Sequence, residues 1–301
     1  MSPADAQQAH QAHRTGLFIA ILAATGFSLK AIFVKLGLAH GGDAITLLAL
    51  RMGFALPVFL LMAWHAGFAG LTRRDLWQLA ALGLLGYYLS SLFDFLGLQY
   101  ISAGLERLIL FLYPTLVIVF SALLFKEKIT RRAMGALLLC YAGIGLAVSH
   151  DLSGDTPIDA VITGSLWVFA SAVTYAAYWM GSGRVVHRVG SMRLTAYAST
   201  FAALFCLGHF LATRPLSALI VPPAVYLDGL ALALFSTVLP IWLQAEAIRR
   251  IGAGTAALVG TLGPVLTIFF AWAILGEQLS AWQIGGTALV VGGVYLAGKK
   301  G

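Results

Sequence analysis

Charge is what this chain has least of. Asp, Glu, Lys and Arg make up 10% of its 301 residues, against roughly 25% in a soluble domain. Cysteine is nearly as scarce. Cys140 and Cys206 are the two in the chain, both inside apolar segments without metal-ligand spacing. That excludes a disulfide framework and a zinc site and leaves two small buried thiols. The histidines, His10, His13, His40, His65, His150, His187 and His209, lie mostly in the N-terminal segment, loops or helix ends. With no HExxH and no Ser/His/Asp arrangement, they promise neither an enzyme nor a metal or cofactor. A soluble domain is missing as well: connections such as Leu71-Thr-Arg-Arg-Asp75 and Lys126-Glu-Lys-Ile-Thr-Arg-Arg132 hold little beyond Gly, Pro and charges.

What fills the chain is apolar. Hydrophobic residues make up 60% and the mean hydropathy is +0.89, where soluble domains reach roughly 45–50%. A helix of about 20 apolar residues crosses a bilayer, and the sequence predicts ten such spans, at 15–38, 44–65, 76–99, 104–125, 132–149, 162–183, 192–212, 225–247, 254–275 and 280–297. The expected fold is all-α and polytopic. Residues 1–14 are polar and lack a cleavage site after a short apolar core, so they read as a mobile tail and not a signal peptide. The formal charge of +7 does not indicate nucleic acid, because the basic residues sit in short loops between apolar runs.

Those loops give the orientation, since Lys and Arg concentrate on the cytoplasmic side. With the N-terminus inside, that side receives Arg14, Arg73, Arg74, Lys126, Lys128, Arg131, Arg132, Arg184, Arg188, Arg193, Arg249, Arg250, Lys299 and Lys300, fourteen of the nineteen basic residues. Arg107 and Arg214 fall in or beside outer loops, and the longest outer loop, 150–159, carries Asp151, Asp155 and Asp159 with no Lys or Arg. Both termini are expected in the cytoplasm of a bacterial-type inner membrane, which requires an even number of spans.

The chain also repeats itself. A shift of 150 positions aligns Ile101-Ser-Ala-Gly104 with Ile251-Gly-Ala-Gly254, Pro114 with Pro264, Phe120 with Phe270, Glu127 with Glu277, Gly135 with Gly285 and Gly143 with Gly293. A shift of 148 aligns Thr15-Gly16 with Thr163-Gly164. Leu, Ala and Gly matches come cheaply between apolar helices, but a paired mid-helix Pro and a paired helix-end Glu at one offset do not. Five spans per half is odd, so the second half enters the membrane inverted. The expected organisation is a tail (1–14), a first repeat (15–149), an extracytoplasmic linker (150–161) and a second repeat (162–301). Inverted repeats commonly build secondary transporters, with a site near the midplane and alternating access by rocking of the halves.

At this point the sequence resembles the drug/metabolite transporter superfamily, specifically its ten-helix EamA-domain exporters, which include an exporter of aromatic amino acids. The resemblance rests on Gly26-Phe-Ser28 and Ala31-Ile-Phe-Val-Lys35, on Leu50-Arg51, on Ile101-Ser-Ala-Gly104, Leu112-Tyr-Pro114 and Phe125-Lys-Glu127, and on Ala253-Gly254, Gly263-Pro264 and Leu275-Gly-Glu277. It covers nearly the whole chain. It implies a central cavity lined mainly by spans 3, 4, 8 and 9 with contributions from 1 and 6, and net export of small metabolites. Thr25 stands where the family pattern Trp-Gly-Ser has Trp, and Ser28 is displaced, so no role of that Trp is carried over.

Ionisable residues inside a span are costly and mark a cavity or pathway. At 1.5 Å per residue, Lys30 lies roughly 22 Å and Asp94 about 27 Å from the inner ends of their spans, and Arg51 about 10 Å below an outer end. All three reach a similar depth, where Asp94 is expected to pair with Lys30 or Arg51. Lys30 or Arg51 would attract a substrate carboxylate, while Asp94 would meet an amino group or accept a proton. An inter-helix ion pair is the competing role, and it carries more weight for Arg51. Gln244, the repeat counterpart of Asp94, is expected at the same cavity. Glu246, a turn from Arg249 and Arg250, reads equally as a gate or an interfacial pair. Glu106 and Arg107 form an outer gate or cap and pair, and Glu127 and Glu277, ending spans against the helix dipole, read as structural.

Tyr87 and Tyr88, Tyr113, Tyr175, Tyr178 and Trp179, and Trp242 supply apolar bodies with polar tips for a pocket, although packing is the ordinary role of any one of them. Trp64, Trp77, Trp272 and Trp282 lie near span ends and belong to the interfacial belt. Pro114, Pro240 and Pro264 are candidate hinges, and Gly83, Gly86, Gly260 and Gly263 allow close helix approach. The expectation is a secondary transporter exporting amino acids or similar metabolites. Transport of another metabolite or drug class, such as a vitamin or nucleoside, is the alternative; an intramembrane enzyme or a channel ranks below both. The expected partners are the lipid bilayer and a small-molecule substrate, with no nucleic acid, and a monomer is the simplest working unit.

Overall fold

A computed structural model describes residues 3–126, 130–152 and 157–298. Helices dominate it, and among the described residues there is no strand. They are α1 (Pro3–Ala39), α2 (Ala44–Ala66), α3 (Arg73–Gly97), α4 (Ala103–Leu124), α5 (Arg131–Leu152), α6 (Ile158–Val189), α7 (Ser191–Thr213), α8 (Pro223–Gly252), α9 (253–275) and α10 (Ala281–Gly298). Seven contain segments long and apolar enough to cross a membrane, and Ala133–Ser149, Gly263–Leu275 and Ala281–Leu296 are shorter apolar helices. Two elements extend beyond the expected spans. The N-terminal segment read as a tail is helical from Pro3, continuous with α1, and the linker is helical up to Leu152 and again from Ile158. Glu127 and Asp155 lie outside the described residues.

Short polar signals set the helix starts. Asp43 accepts from the amides of Ile45 at 3.0 Å and Thr46 at 3.3 Å, Thr72 and Asp75 form a reciprocal capping box at α3, and Ser102 accepts from Leu105 N at 3.1 Å at α4. Each satisfies amide donors that a helix start leaves unpaired.

Three irregularities recur at nearly constant separation. α4 is broken at Phe111–Leu112 and α9 at Thr261–Leu262, each just before the Pro of the repeat. π-Helical turns occupy Gly83–Leu89 in α3 and Leu234–Val238 in α8. The chain leaves α4 and α9 through left-handed residues 150 apart, Lys126 (φ 57°) and Gly276 (φ 70°).

Helices pair as α1 with α8 and α9, α2 with α7, α3 with α6, and α5 with α10. In lipid, association relies on packing and small residues more than on the hydrophobic effect. A Cβ on Gly83 would run into the Ala198 backbone, one on Gly86 into Tyr178 and one on Gly263 into Arg107, whereas Gly260 faces open space and is no contact point. Between α5 and α10, a Cβ on Gly143 would stand 2.5 Å from Gly286 O, and one on Gly293 2.8 Å from Ala136 O. Adding 150 to one member of the first pair and removing it from the other gives the second pair. The thiol of Cys140 sits on this interface, 3.6 Å from Val290 O.

Gly143→Ala should lower the stability of the purified protein by about 1–3 kcal/mol, the usual cost of overpacking, read as a lower melting temperature in detergent. Gly145→Ala on the same helix adds a methyl that meets nothing within 4 Å and should be neutral or slightly stabilising. Equal melting temperatures for the two variants would show that α5 and α10 do not pack this closely.

Candidate functional site

The deepest polar contact joins three helices. Lys30 Nζ of α1 lies 2.7 Å from Asp94 Oδ2 of α3 and 3.5 Å from Glu106 Oε1 of α4. Asp94 and Glu106 are 1% and 0% exposed, so neither carboxylate is reached by solvent. The Lys30–Asp94 contact is an ion pair by distance, and the Asp94 and Glu106 carboxyl groups also meet each other directly. Each buried charge loses several kcal/mol of hydration. An ammonium between two carboxylates offsets part of that for all three.

Local backbone irregularity puts the acids there. The π-helical turn Gly83–Leu89 widens α3 just ahead of Ser90–Gly97, and an inserted residue changes the face that the following turns present. Glu106 lies in the first turn of the short helix Ala103–Leu110. Glu277 holds that helix from across the bundle, accepting from Ala103 N at 2.9 Å and Gly104 N at 3.4 Å. The structural role expected of Glu277 thus acquires a different cause: it ends α9 but neutralises the positive end of α4.

Of the two cations expected at Asp94, Arg51 is the one held elsewhere. It does not pair with Asp94, although it acts on that carboxylate electrostatically. Its Nε donates to Thr237 Oγ1 at 2.8 Å and its Nη1 to Ser91 Oγ at 3.1 Å, and the guanidinium carbon stands 5.6 Å from the centre of the Phe95 ring. Thr237 in turn donates to Leu232 O at 2.8 Å inside the second π-helical turn. Arg107 lies against Gly263 at the α9 break and acts on both Asp94 and Glu106 without touching them.

Five aromatic side chains adjoin this cluster. The hydroxyls of Tyr87 and Tyr178 are 3.0 Å apart. Tyr113 meets Tyr175 edge-on at 4.8 Å and stacks on Trp179 at 5.9 Å, while Tyr175 stacks on Tyr178 at 5.8 Å. Tyr175 lies in electrostatic range of Lys30 and Arg107, and Tyr113 of Arg107. Charge and aromatic surface therefore belong to one region, at the breaks of α4 and α9.

Other candidates fall elsewhere. Tyr88 turns away from the cluster and packs against Phe205 and His209. Trp242 is 64% exposed, on the outer surface of the bundle like Trp64, Trp77, Trp272 and Trp282. Gln244 is half-buried and makes no hydrogen bond to the cluster. Glu246 is engaged by Arg249 at 2.6 and 2.7 Å and by Arg250 at 2.6 Å, which is the pairing expected of it. Pro114 and Pro264 follow the two breaks, and Pro240 follows the second π-helical turn, packed on Gly26.

Sequence reasoning missed the hydroxyls of Ser91 and Thr237 and two polar side-chain contacts between helix ends. His40 Nδ1 lies 2.6 Å from Asp228 Oδ2, and Arg188 meets Asp75 and Gln78. The two sites correspond under the repeat: Arg188 is 148 positions after His40, and Asp228 is 150 after Gln78. At the α1–α2 turn, burial works against ionisation of Asp43, but hydrogen bonds from Thr46 and the nearby Arg214 outweigh it and hold the carboxyl below its ordinary value.

Residues 14–149 and 162–298 each match the EamA-like transporter family. The chain is 31% identical to the transporter YcbK of Bacillus subtilis (strain 168) over 290 residues, covering 93% of this chain and 92% of that one. It is 25% identical to a probable amino-acid metabolite efflux pump of Salmonella typhimurium, covering 93% of each. It is 24% identical to an S-adenosylmethionine/S-adenosylhomocysteine transporter of Chlamydia trachomatis, covering 69% of this chain and 66% of that one. A solved crystal structure superposes with a TM-score of 0.62 at 21% identity, over 94% of this chain and 97% of its own, and so shares the fold.

Breaking the buried pair from one side should be costly. Lys30→Met leaves two carboxyl groups facing each other with no cation in contact and should destabilise the protein by about 3–5 kcal/mol. Adding Asp94→Asn to it should recover part of the loss. Melting temperatures of the two single variants and the double variant give the coupling directly; strictly additive shifts would show that the groups do not interact.

Proposed function

Because the chain belongs to the EamA-like transporter family, we propose that it is a secondary transporter that exports small metabolites, amino acids foremost, across the bacterial inner membrane by alternating access through a central cavity. One observation carries this reading. A buried cluster holding both signs of charge adjoins a wall of aromatic rings at the breaks of α4 and α9. An amino acid offers a carboxylate, an ammonium and an apolar or aromatic body to such a surface. The relative named as an amino-acid metabolite efflux pump points the same way.

The scaffold we propose is ten membrane-spanning helices in an inverted repeat of two five-helix halves, 15–149 and 162–301, with both termini cytoplasmic. The double family match, the equivalent breaks and π-helical turns, and the exchanging contacts of α5 and α10 support it. Paired irregularities of this kind suit rocking of one half on the other. In that motion, Glu277 on the α4 amides and Lys30 between Asp94 and Glu106 tie α9 and α1 to α4 and α3, closing one entrance.

A nucleoside-bearing metabolite is the second reading, favoured by the relative named as an S-adenosylmethionine/S-adenosylhomocysteine transporter and by rings on which a base can stack. Purified protein in liposomes, loaded with a panel of unlabelled amino acids and nucleosides and offered the labelled compounds, should give saturable counterflow. Lys30→Met or Asp94→Asn should reduce it several-fold. Unsaturable flux, or breakdown of a compound without translocation, would overturn the transporter; undiminished counterflow in both variants would remove the charge cluster from the site.

A further inference from the structure

The cations inside the described helices differ in what their nitrogens meet. Lys30 is neutralised by Asp94 and Glu106, and Arg51 is held by Thr237 and Ser91. Arg107 makes no hydrogen bond and no ion pair within 4 Å among the described residues, and its Nε is sealed from solvent without an acceptor. A guanidinium carries five N–H donors in a fixed fork, and a sealed donor without a partner is expensive in the absence of something that completes it.

Space, aromatic rings and acids surround this guanidinium. A glycine makes room for it: a Cβ on Gly263 would stand 2.8 Å from Nη2. Gly263 is the repeat counterpart of Tyr113, and Arg107 itself is the counterpart of Ala257, so neither half of the repeat dictates this arrangement. Tyr113 and Tyr175 both lie in electrostatic range of it, and Tyr113 stacks on Trp179. On the other side stand two acids, Asp94 and Glu106, with a single ammonium between them.

Taking the transport reading above as premise, we infer that Arg107 is the residue that binds the carboxylate of the cargo. It does so through two parallel N–H donors, while the apolar or aromatic body of the cargo lies against Tyr113, Tyr175 and Trp179. The planar fork matches two carboxylate oxygens as an ammonium cannot. An ammonium on the cargo, where there is one, faces the acidic side of the cluster. The cargo class is a small amphipathic carboxylate, and the role expected of Lys30 or Arg51 passes to Arg107.

The test is calorimetric titration of the purified full-length protein in nanodiscs with three probes: 3-phenylpropionate (carboxylate alone), phenethylamine (ammonium alone) and L-phenylalanine (both). Both carboxylates should bind, and phenethylamine should bind about tenfold more weakly or worse, the loss that accompanies one charge-assisted hydrogen bond. Arg107→Gln should weaken 3-phenylpropionate by about tenfold or more. Arg107→Lys should restore part of this, because it returns the charge but not the fork. Gly263→Ala keeps the arginine but takes its space, and should weaken the same probe. The inference is overturned if phenethylamine binds as tightly as 3-phenylpropionate, if Arg107→Gln binds the carboxylates like the natural protein, or if neither carboxylate binds the natural protein at millimolar concentration. Should Arg107→Gln fail to fold, Gly263→Ala and the probe comparison on the natural protein decide. None of these results touches saturable counterflow of another solute, so this failure and failure of the transport reading are distinguishable.

Discussion

One ammonium between two carboxylates organises the middle of this molecule. Lys30, Asp94 and Glu106 come from three helices, and none of them is tolerable in an apolar interior without the others. Their meeting sets conditions on the rest of the chain. α3 must be re-registered by a π-helical turn, and α4 must present its short first helix at the right height, which the Glu277 carboxylate fixes from the end of α9. Arg51 is kept out of the pair by hydroxyls on α3 and α8, and this leaves the Asp94 carboxylate to Lys30.

Much of this was legible in the sequence, and the misses have physical causes. Rise per residue alone put Lys30 and Asp94 at one depth, because depth depends on distance along a helix axis. Facing is harder to read. A helix that is apolar nearly all round gives little sign of which side meets the bundle, so Tyr88 and Trp242 read as pocket residues, whereas Tyr88 packs against Phe205 and His209 and Trp242 is exposed. Tyr175, Tyr178 and Trp179 meet one another as rings, since spacings of three and four hold them on one face of α6 whichever way it turns. Which of Lys30 and Arg51 pairs with Asp94 was not legible, because the partners of Arg51 are hydroxyls, and one of them, Thr237, sits in a π-helical turn where the 3.6-residue period fails.

Glu277 shows a different limit. Read along its own helix, a carboxylate at the C-terminal end opposes the dipole. Across the bundle, the same group meets the amino end of α4, where a carboxylate stabilises by roughly 0.3–1 kcal/mol. Sequence neighbours gave the sign for one helix, and the fold supplied the helix that matters. The same holds for His40 and Asp228: a turn residue and a helix residue 188 positions apart become partners because α1 and α8 lie side by side.

The repeat supplies the frame and its departures supply the chemistry. Breaks, π-helical turns and left-handed exits recur in both halves, but the groups gathered at the cluster do not: Asp94 corresponds to Gln244, Lys30 to Tyr178, Arg107 to Ala257 and Tyr113 to Gly263. The contrast follows from what each part must do. On the transport reading proposed above, two arrangements of similar energy require equivalent joints at both ends, because a frame strained in one arrangement would stay in the other. A small cargo with distinct groups requires the reverse, since a site with two-fold symmetry would present the same groups to both ends of the cargo. Pairs of unlike residues at equivalent positions reconcile the two demands, and they do so where the broken helices α4 and α9 approach each other, at Arg107 and Gly263.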